Sequence, residues 1–234
     1  MKLSRDAIKY LAVFAMTLNH AAHIWLQEGT AGYELLTNIG YFTAVTMCFF
    51  LAEGYHYTKS KKKYGQRLLI FGLISQLPYQ AALQLPQANM LITLFLCFLL
   101  LVCLDSWPVS NRRTVCCILL VFATCFCDWG GLAAVFTILF FLAGNSKKKL
   151  LAAFGIDYCL FSLSNFLIYT ESQSFGQALL HGLLSGCGIL VSGIVLVFFY
   201  SGKRAVKGQT FSKWFFYLFY PLHLTVFFLL QQLL

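Results

Sequence analysis

Residues 147–204 read KKKLLAAFGIDYCLFSLSNFLIYTESQSFGQALLHGLLSGCGILVSGIVLVFFYSGKR. Two apolar runs, 150–169 and 177–200, are bracketed by the basic clusters Lys147–Lys149 and Lys203–Arg204. The polar turn between them carries Glu171 and no base. Each run has the roughly 20 residues a helix needs to cross the hydrocarbon core of a bilayer. Basic residues concentrate in loops on the cytoplasmic side of a membrane. The stretch therefore predicts a helical hairpin that leaves the cytoplasm and returns to it.

The rest of the chain follows the same grammar. Of 234 residues, 59% are hydrophobic and only 11% are charged, against about 25% charged in an ordinary soluble domain. That composition excludes a soluble enzyme, a disordered chain and a disulfide-stapled secreted domain. Further apolar runs lie at 8–26, 38–56, 67–85, 90–105, 114–127, 131–144 and 213–233, which makes nine in all. With the N-terminus inside, all 17 Lys and Arg fall in cytoplasmic gaps, while Glu28, Glu34, Asp128 and Glu171 fall opposite them with no base. The net charge of +9 is thus a topology signal, and nucleic acid is not needed to explain it. The expectation is an all-α, polytopic transmembrane bundle of about nine spans, forming one integral-membrane domain over residues 1–234. The short runs 114–127 and 131–144 flank Asp128–Gly131 and suit a hairpin that does not fully cross. The first run is too long for a cleaved signal peptide and is expected to be a retained anchor. Eight of the nine cysteines lie in apolar runs, where they pack as small hydrophobes, and only Cys127 lies near a boundary. No metal site is expected.

Against this background polar residues within the runs stand out, because ionisable groups are expensive in hydrocarbon and usually face an interior cavity or pathway. They are Asn19, His20 and His23 in the first run, Glu53 and His56 in the second, Asp157 and Asn165 in the seventh, His181 in the eighth and His223 in the ninth. Lys9 and His20 are eleven residues apart, within about 20° of three full helical turns, so they share a face about 16 Å apart along the axis. A cation at the cytoplasmic rim with a titratable base deep along the same face suits a long anionic molecule entering from inside. A snorkelling lysine above a core histidine is the plainer alternative. His20 and His23 alone are too few for zinc.

Several motifs resemble the TraX family. Met16-Thr17-Leu18-Asn19-His20 resembles its MT-hydrophobic-DH signature, and Leu51–Thr58 its LAEGY/F-x-x-T segment, followed here as there by a basic run and Arg67–Pro78. Asn89 and Thr93 match an N-x-x-x-T element and Asp128-Trp129-Gly130 a D-aromatic-G turn. Gly202-Lys203-Arg204 and Phe216–Leu224 match its C-terminal motifs, so the resemblance covers almost the whole chain. The chain departs from the pattern at Asn19, where the family has aspartate, and at Gly40–Val45, which lacks the family's arginine and proline.

The resemblance implies a membrane acetyltransferase, since the founding TraX protein acetylates the N-terminus of conjugative pilin. It also implies kinship with transmembrane acyltransferases that carry a Lys/Arg-x10-His arrangement on the first helix, as Lys9 and His20 do. The expected donor is cytoplasmic acetyl-CoA and the expected setting a bacterial cell membrane. His20 is the expected catalytic base, with Asn19, Glu53 and His223 as further catalytic candidates. Lys9, His56, Lys63 and Arg67 are candidates for donor binding, and His23, Asp128 and Tyr220 for acceptor binding. The acceptor is left open among a peptide amine, a glycan and a small molecule, and so is homo-oligomerisation. A small proton-coupled transporter using the buried histidines as a relay is the alternative from another class.

Overall fold

The computed structural model describes residues 2–233, and among them it is all-helical with no strand. Each of the nine apolar runs becomes helical. Four helical stretches are long and apolar enough to cross a membrane: Ala31–Tyr57, Lys147–Tyr169, Phe175–Phe199 and Gln209–Leu233. The first and third runs also form long helices, Arg5–Trp25 and Lys61–Leu83, but their polar side chains dilute their apolar character. Met90–Ser106 and Leu132–Ala143 are apolar and shorter. Helices are therefore found where nine spans were expected, and four of them meet the demands of a span on their own.

The chain to Met47 with Ala143–Gln209 forms one compact unit, and Cys48–Leu142 with the chain from Thr210 forms a second. The first unit contains α1 (Arg5–Trp25), the opening half of α2 (Ala31–Tyr57) and α7 (Lys147–Tyr169). It also holds a return stretch of α8 (Phe175–Ser185), α9 (Cys187–Ile194) and a π-helical turn, Val195–Phe199. Ser4 starts α1, its hydroxyl accepting from the Ala7 amide at 3.2 Å, which satisfies one of the orphan donors at a helix start. At this end Leu3 pairs in parallel with Tyr200. The Arg5 amide donates to the Lys203 carbonyl at 2.8 Å, and the buried Asp6 carboxylate accepts from the Ala205 amide at 2.7 Å. The loop bearing Lys203 and Arg204 is thereby fastened to the start of α1. Between helices, Thr43 donates to the Ala12 carbonyl at 2.6 Å and Thr46 meets Ser192 at 2.8 Å. A Cβ on Gly188 would stand 2.6 Å from the Asn38 carbonyl oxygen, so glycine there lets α2 and α9 touch backbone to backbone.

The second unit contains the end of α2, α3 (Lys61–Leu83), α4 (Met90–Ser106), α5 (Asn111–Thr124), α6 (Leu132–Ala143) and α10 (Gln209–Leu233). Asn89 organises one end of it. Its side-chain oxygen caps α4 by accepting from the Leu91 amide at 3.0 Å, and its Nδ2 donates to Gly72 O and to Gln76 Oε1, each at 2.8 Å. Ala88 pairs in parallel with Cys127, and the Asp128 amide donates to the Ala88 carbonyl at 2.7 Å. At the other end Lys61 Nζ donates to Asp105 at 2.6 Å and to the Tyr55 hydroxyl at 2.7 Å, tying α2, α3 and α4 together.

Candidate functional site

The first unit holds Lys9, Asn19, His20 and His23, all on α1. Lys9 is half-buried near the start of the helix, and His20 is buried, 7% exposed, one residue past Asn19. Both lie within one unbroken helix, so their shared face, inferred from spacing alone, holds in three dimensions. Asn19 Nδ2 donates to the Thr37 carbonyl of α2 at 3.1 Å. A Cβ on Gly40 would stand only 2.2 Å from Asn19 Cβ, so Gly40 is what lets the two helices close over this bond. An ionised aspartate has no hydrogen to donate to that carbonyl, which explains how asparagine serves here. Asn19 thus secures the helix on which His20 is mounted.

His23 lies toward the exposed end of α1. Its Nδ1 is 3.0 Å from the Tyr33 hydroxyl, which also donates to Glu28 at 3.4 Å, and the two rings meet edge to face at 5.3 Å. Next along α2, Glu34 lies 3.9 Å from His181 Nδ1. Tyr169 stands beside both, its ring 4.9 Å from His181 and its hydroxyl within electrostatic reach of Glu34. Sequence reading found His23 and noted His181 but missed Tyr33, Glu34 and Tyr169. No local spacing links residues so far apart in the chain. Deeper on α7, Asp157 is fully buried, and neither carboxyl oxygen has a hydrogen-bond partner among the described residues.

The second unit holds the remaining candidates, at its two ends. Glu53 is half-buried on α2. His56, one turn later, is exposed and stacks face to face on Phe141 at 4.9 Å. Lys63 is exposed and Arg67 half-buried on α3. The guanidinium of Arg67 lies 5.8 Å from the Tyr64 ring, and its Nε is buried with no hydrogen-bond partner among the described residues. Within the basic run Lys61 is committed to Asp105 and Tyr55, whereas Lys59, Lys62 and Lys63 remain exposed. That is the donor set a phosphate group calls for.

At the opposite end, Asp128 follows Cys127 in the turn between α5 and α6. Thr93 Oγ1 donates to its carbonyl at 2.8 Å. Burial pushes the Asp128 carboxyl up to about 7, with a hydrogen bond from the Trp129 amide opposing. Tyr79 and Tyr220 lie within its electrostatic reach. His223 is buried on α10, its Nδ1 2.9 Å from the Phe219 carbonyl oxygen and its ring stacked on Phe219 at 5.0 Å. A carbonyl only accepts, so Nδ1 carries the proton and Nε2 of the neutral ring is left as the acceptor. The family-like elements around Asn89, Thr93 and Asp128 thus form one hydrogen-bonded knot that holds Asp128 in place. Among the described residues no cluster of three or more His, Cys, Asp or Glu is placed to hold a metal ion.

An all-helical architecture with four helices long and apolar enough to cross a bilayer has the character of a membrane protein. The profile of the TraX protein family matches residues 4–231, and the chain belongs to that family. It is also 32% identical over 239 aligned positions to the probable fimbrial assembly protein FimC, serogroup H1, of Dichelobacter nodosus, an alignment covering 94% of this chain and 92% of the relative. No solved structure matches it.

Proposed function

We propose that the protein is a membrane-embedded acetyltransferase that moves an acetyl group from cytoplasmic acetyl-CoA to an amine or hydroxyl acceptor at or across a bacterial cell membrane. The observation that carries this reading is His20, buried on the same helix face as Lys9. Membership of a family whose founding member acetylates pilin, and a relative named for fimbrial assembly, support it. The proposed topology is multi-pass, with nine spans, a cytoplasmic N-terminus and residues 1–234 acting as one TraX-like domain.

In this mechanism His20 is the general base. It takes the proton from the acceptor as the acceptor attacks the thioester carbonyl. A bond to the acceptor nitrogen or oxygen forms, the carbon–sulfur bond breaks, and the thiol of CoA leaves. General-base help of this kind contributes about 10²–10⁴-fold. Asn19 holds the helix bearing His20. Lys9 serves the donor's phosphates, and so do Lys63 and Arg67, with Glu53 and His56 ordering the segment before the basic run. Asp128, Tyr220 and His223 are assigned to proton handling and acceptor contacts, and His23 to the acceptor.

Detergent-solubilised protein titrated with acetyl-CoA tests the reading. A ligand of the folded state raises its apparent stability, so millimolar acetyl-CoA should raise the melting temperature. Lys9→Gln should shift the midpoint of that response to higher concentration. No shift with the wild-type protein contradicts the proposal. One observation favours the proton-coupled transporter instead: the unpartnered carboxyl of Asp157 on α7. That reading predicts a pH-gradient-driven flux in proteoliposomes that Asp157→Asn abolishes, and no response to acetyl-CoA.

A further inference from the structure

All nine cysteines are free thiols. Cys125, Cys127 and Cys187 each turn their sulfur back to the carbonyl four residues earlier, at 3.6–3.8 Å. Cys103 and Cys116 behave differently. Their sulfurs meet each other at 3.6 Å, one on α4 and the other on α5. The contact follows from the hairpin that joins these helices. Cys103 lies three residues before the end of α4 at Ser106, and Cys116 five residues after the start of α5 at Asn111. At 1.5 Å per residue both sit about 5–8 Å from the loop 107–110, at similar depth. That loop is held closed. Arg113 donates to the Trp107 carbonyl at 3.2 Å, the Arg112 guanidinium lies 5.4 Å from the Trp107 ring, and the Ser110 hydroxyl accepts from the Arg113 amide at 3.3 Å.

A second observation concerns access. Cys103 is 5% exposed, but Cys116 is half-buried, and α5 buries Thr124 alone among its residues. Its Val115, Ile118, Leu119 and Phe122 are all more than half exposed. In the proposed bilayer setting that face meets lipid, so a lipid-dissolved reagent reaches α5 without entering the core. The neighbouring end of α4 is already fastened, because Asp105, two residues past Cys103, takes the Lys61 ammonium of α3.

The geometry points to Cys103 and Cys116 as a reversible dithiol–disulfide site, which a two-electron oxidant closes to staple α5 onto α4. Sulfurs in contact need only side-chain rotation and a small helix shift to reach the bonded distance of about 2 Å, and a poised partner thiol is the usual companion of a redox-active cysteine. Two S–H bonds break and one S–S bond forms. The two electrons and two protons pass to a quinone, which leaves as its hydroquinone, or to hydrogen peroxide, which leaves as two waters. A dithiol returns them and reopens the bridge. In a reducing cytoplasm the thiols are the resting form, so the staple marks exposure to oxidant. The two oxidants share this chemistry and differ in where they come from, the bilayer or the water. A metal ion fits less well, because no three metal-ligating side chains converge among the described residues.

The test counts thiols and uses no acetyl-CoA, so its outcome is independent of the transfer reading. Full-length protein in phospholipid vesicles is treated with ubiquinone-1 or with hydrogen peroxide. It is then unfolded, alkylated with N-ethylmaleimide and weighed intact. Of the nine thiols two should vanish together, without cross-linking between chains, and dithiothreitol should restore both. Faster closure by the quinone assigns the oxidant to the bilayer, and faster closure by peroxide assigns it to the water. Cys103→Ala and Cys116→Ala should each abolish the paired loss, while Cys117→Ala keeps it. Trypsin cuts at Arg112 and Arg113, between the two cysteines, so in the wild-type protein tandem mass spectra of the linked peptides identify the bonded sulfurs even where a variant folds poorly. The bridge shortens the free chain of the unfolded state, so the oxidised wild-type protein should melt at a higher temperature than the reduced one, and Cys116→Ala should show no such difference. Nine thiols surviving both oxidants, a bridge to Cys117 in place of Cys116, or a paired loss that persists in Cys116→Ala overturns the site.

Discussion

The Asn89 knot of the second unit and the residues Thr37 and Asp157 of the first treat burial in opposite ways. In the second, Asn89 uses its amide and its carbonyl oxygen together, Gln76 answers it, and Thr93 reaches the backbone of Asp128. Nearly every polar atom of that knot has a partner, as a structural network requires. In the first, Thr37 Oγ1 and both oxygens of Asp157 are buried with none among the described residues. Folding selects for the former arrangement and penalises the latter. The contrast separates polar residues that hold helices in register from buried polar residues without a partner among the described residues.

The largest effect should come from breaking the satisfied knot. Asn89→Leu removes the cap of α4 and the bonds to Gly72 and Gln76, and leaves those acceptors buried. Stability should fall by about 3–5 kcal/mol, read as a drop in melting temperature in detergent. An unchanged melting temperature would show that the knot carries little.

Asp128, within the same knot, gives a pH signature of up to about 4 kcal/mol. Its folded-state value is about 7 against 3.8 for the free side chain. Below about pH 4 both states hold the proton. Between pH 4 and 7 the unfolded chain releases it and the folded chain does not, so stability falls as pH rises. Above pH 7 the loss is complete. Asp128→Asn should flatten that slope when melting is followed from pH 4 to 8, and an identical slope in the variant would remove Asp128 as its source.

The unsatisfied side of the comparison predicts a smaller change of opposite sign. Asp157→Leu replaces an unpartnered buried carboxyl with an apolar group of similar size, and should raise stability by about 1–3 kcal/mol. A loss of stability would mean that Asp157 has a structural partner.

Much of the fold was legible because periodicity and charge are local signals. All nine apolar runs became helical, and the spacing of Lys9 and His20 survives as a common face. The start of α2 was read late, at 38 rather than Ala31, because Glu34 and Thr37 interrupt the apolar pattern without interrupting the helix. The run 177–200 hides a break after Ser185 and a π-helical turn at Val195–Phe199; no proline announces either, and Gly186 at the break is one of four glycines in that run. Lys61 lies in the basic run before Arg67, and only tertiary packing gives it its partners Asp105 and Tyr55 from two other helices. The Tyr33–Glu34–Tyr169–His181 ring joins residues well over a hundred positions apart, a relation that only tertiary packing creates.

The central claim is that His20 is the base for acetyl transfer. Purified wild-type and His20→Ala proteins of equal melting temperature, given radiolabelled acetyl-CoA and an ammonium-bearing peptide, test it most directly. The account predicts that transfer of label falls by about 10²–10⁴-fold in the variant while the stabilisation by acetyl-CoA persists. Transfer at the wild-type rate by folded His20→Ala protein would contradict it.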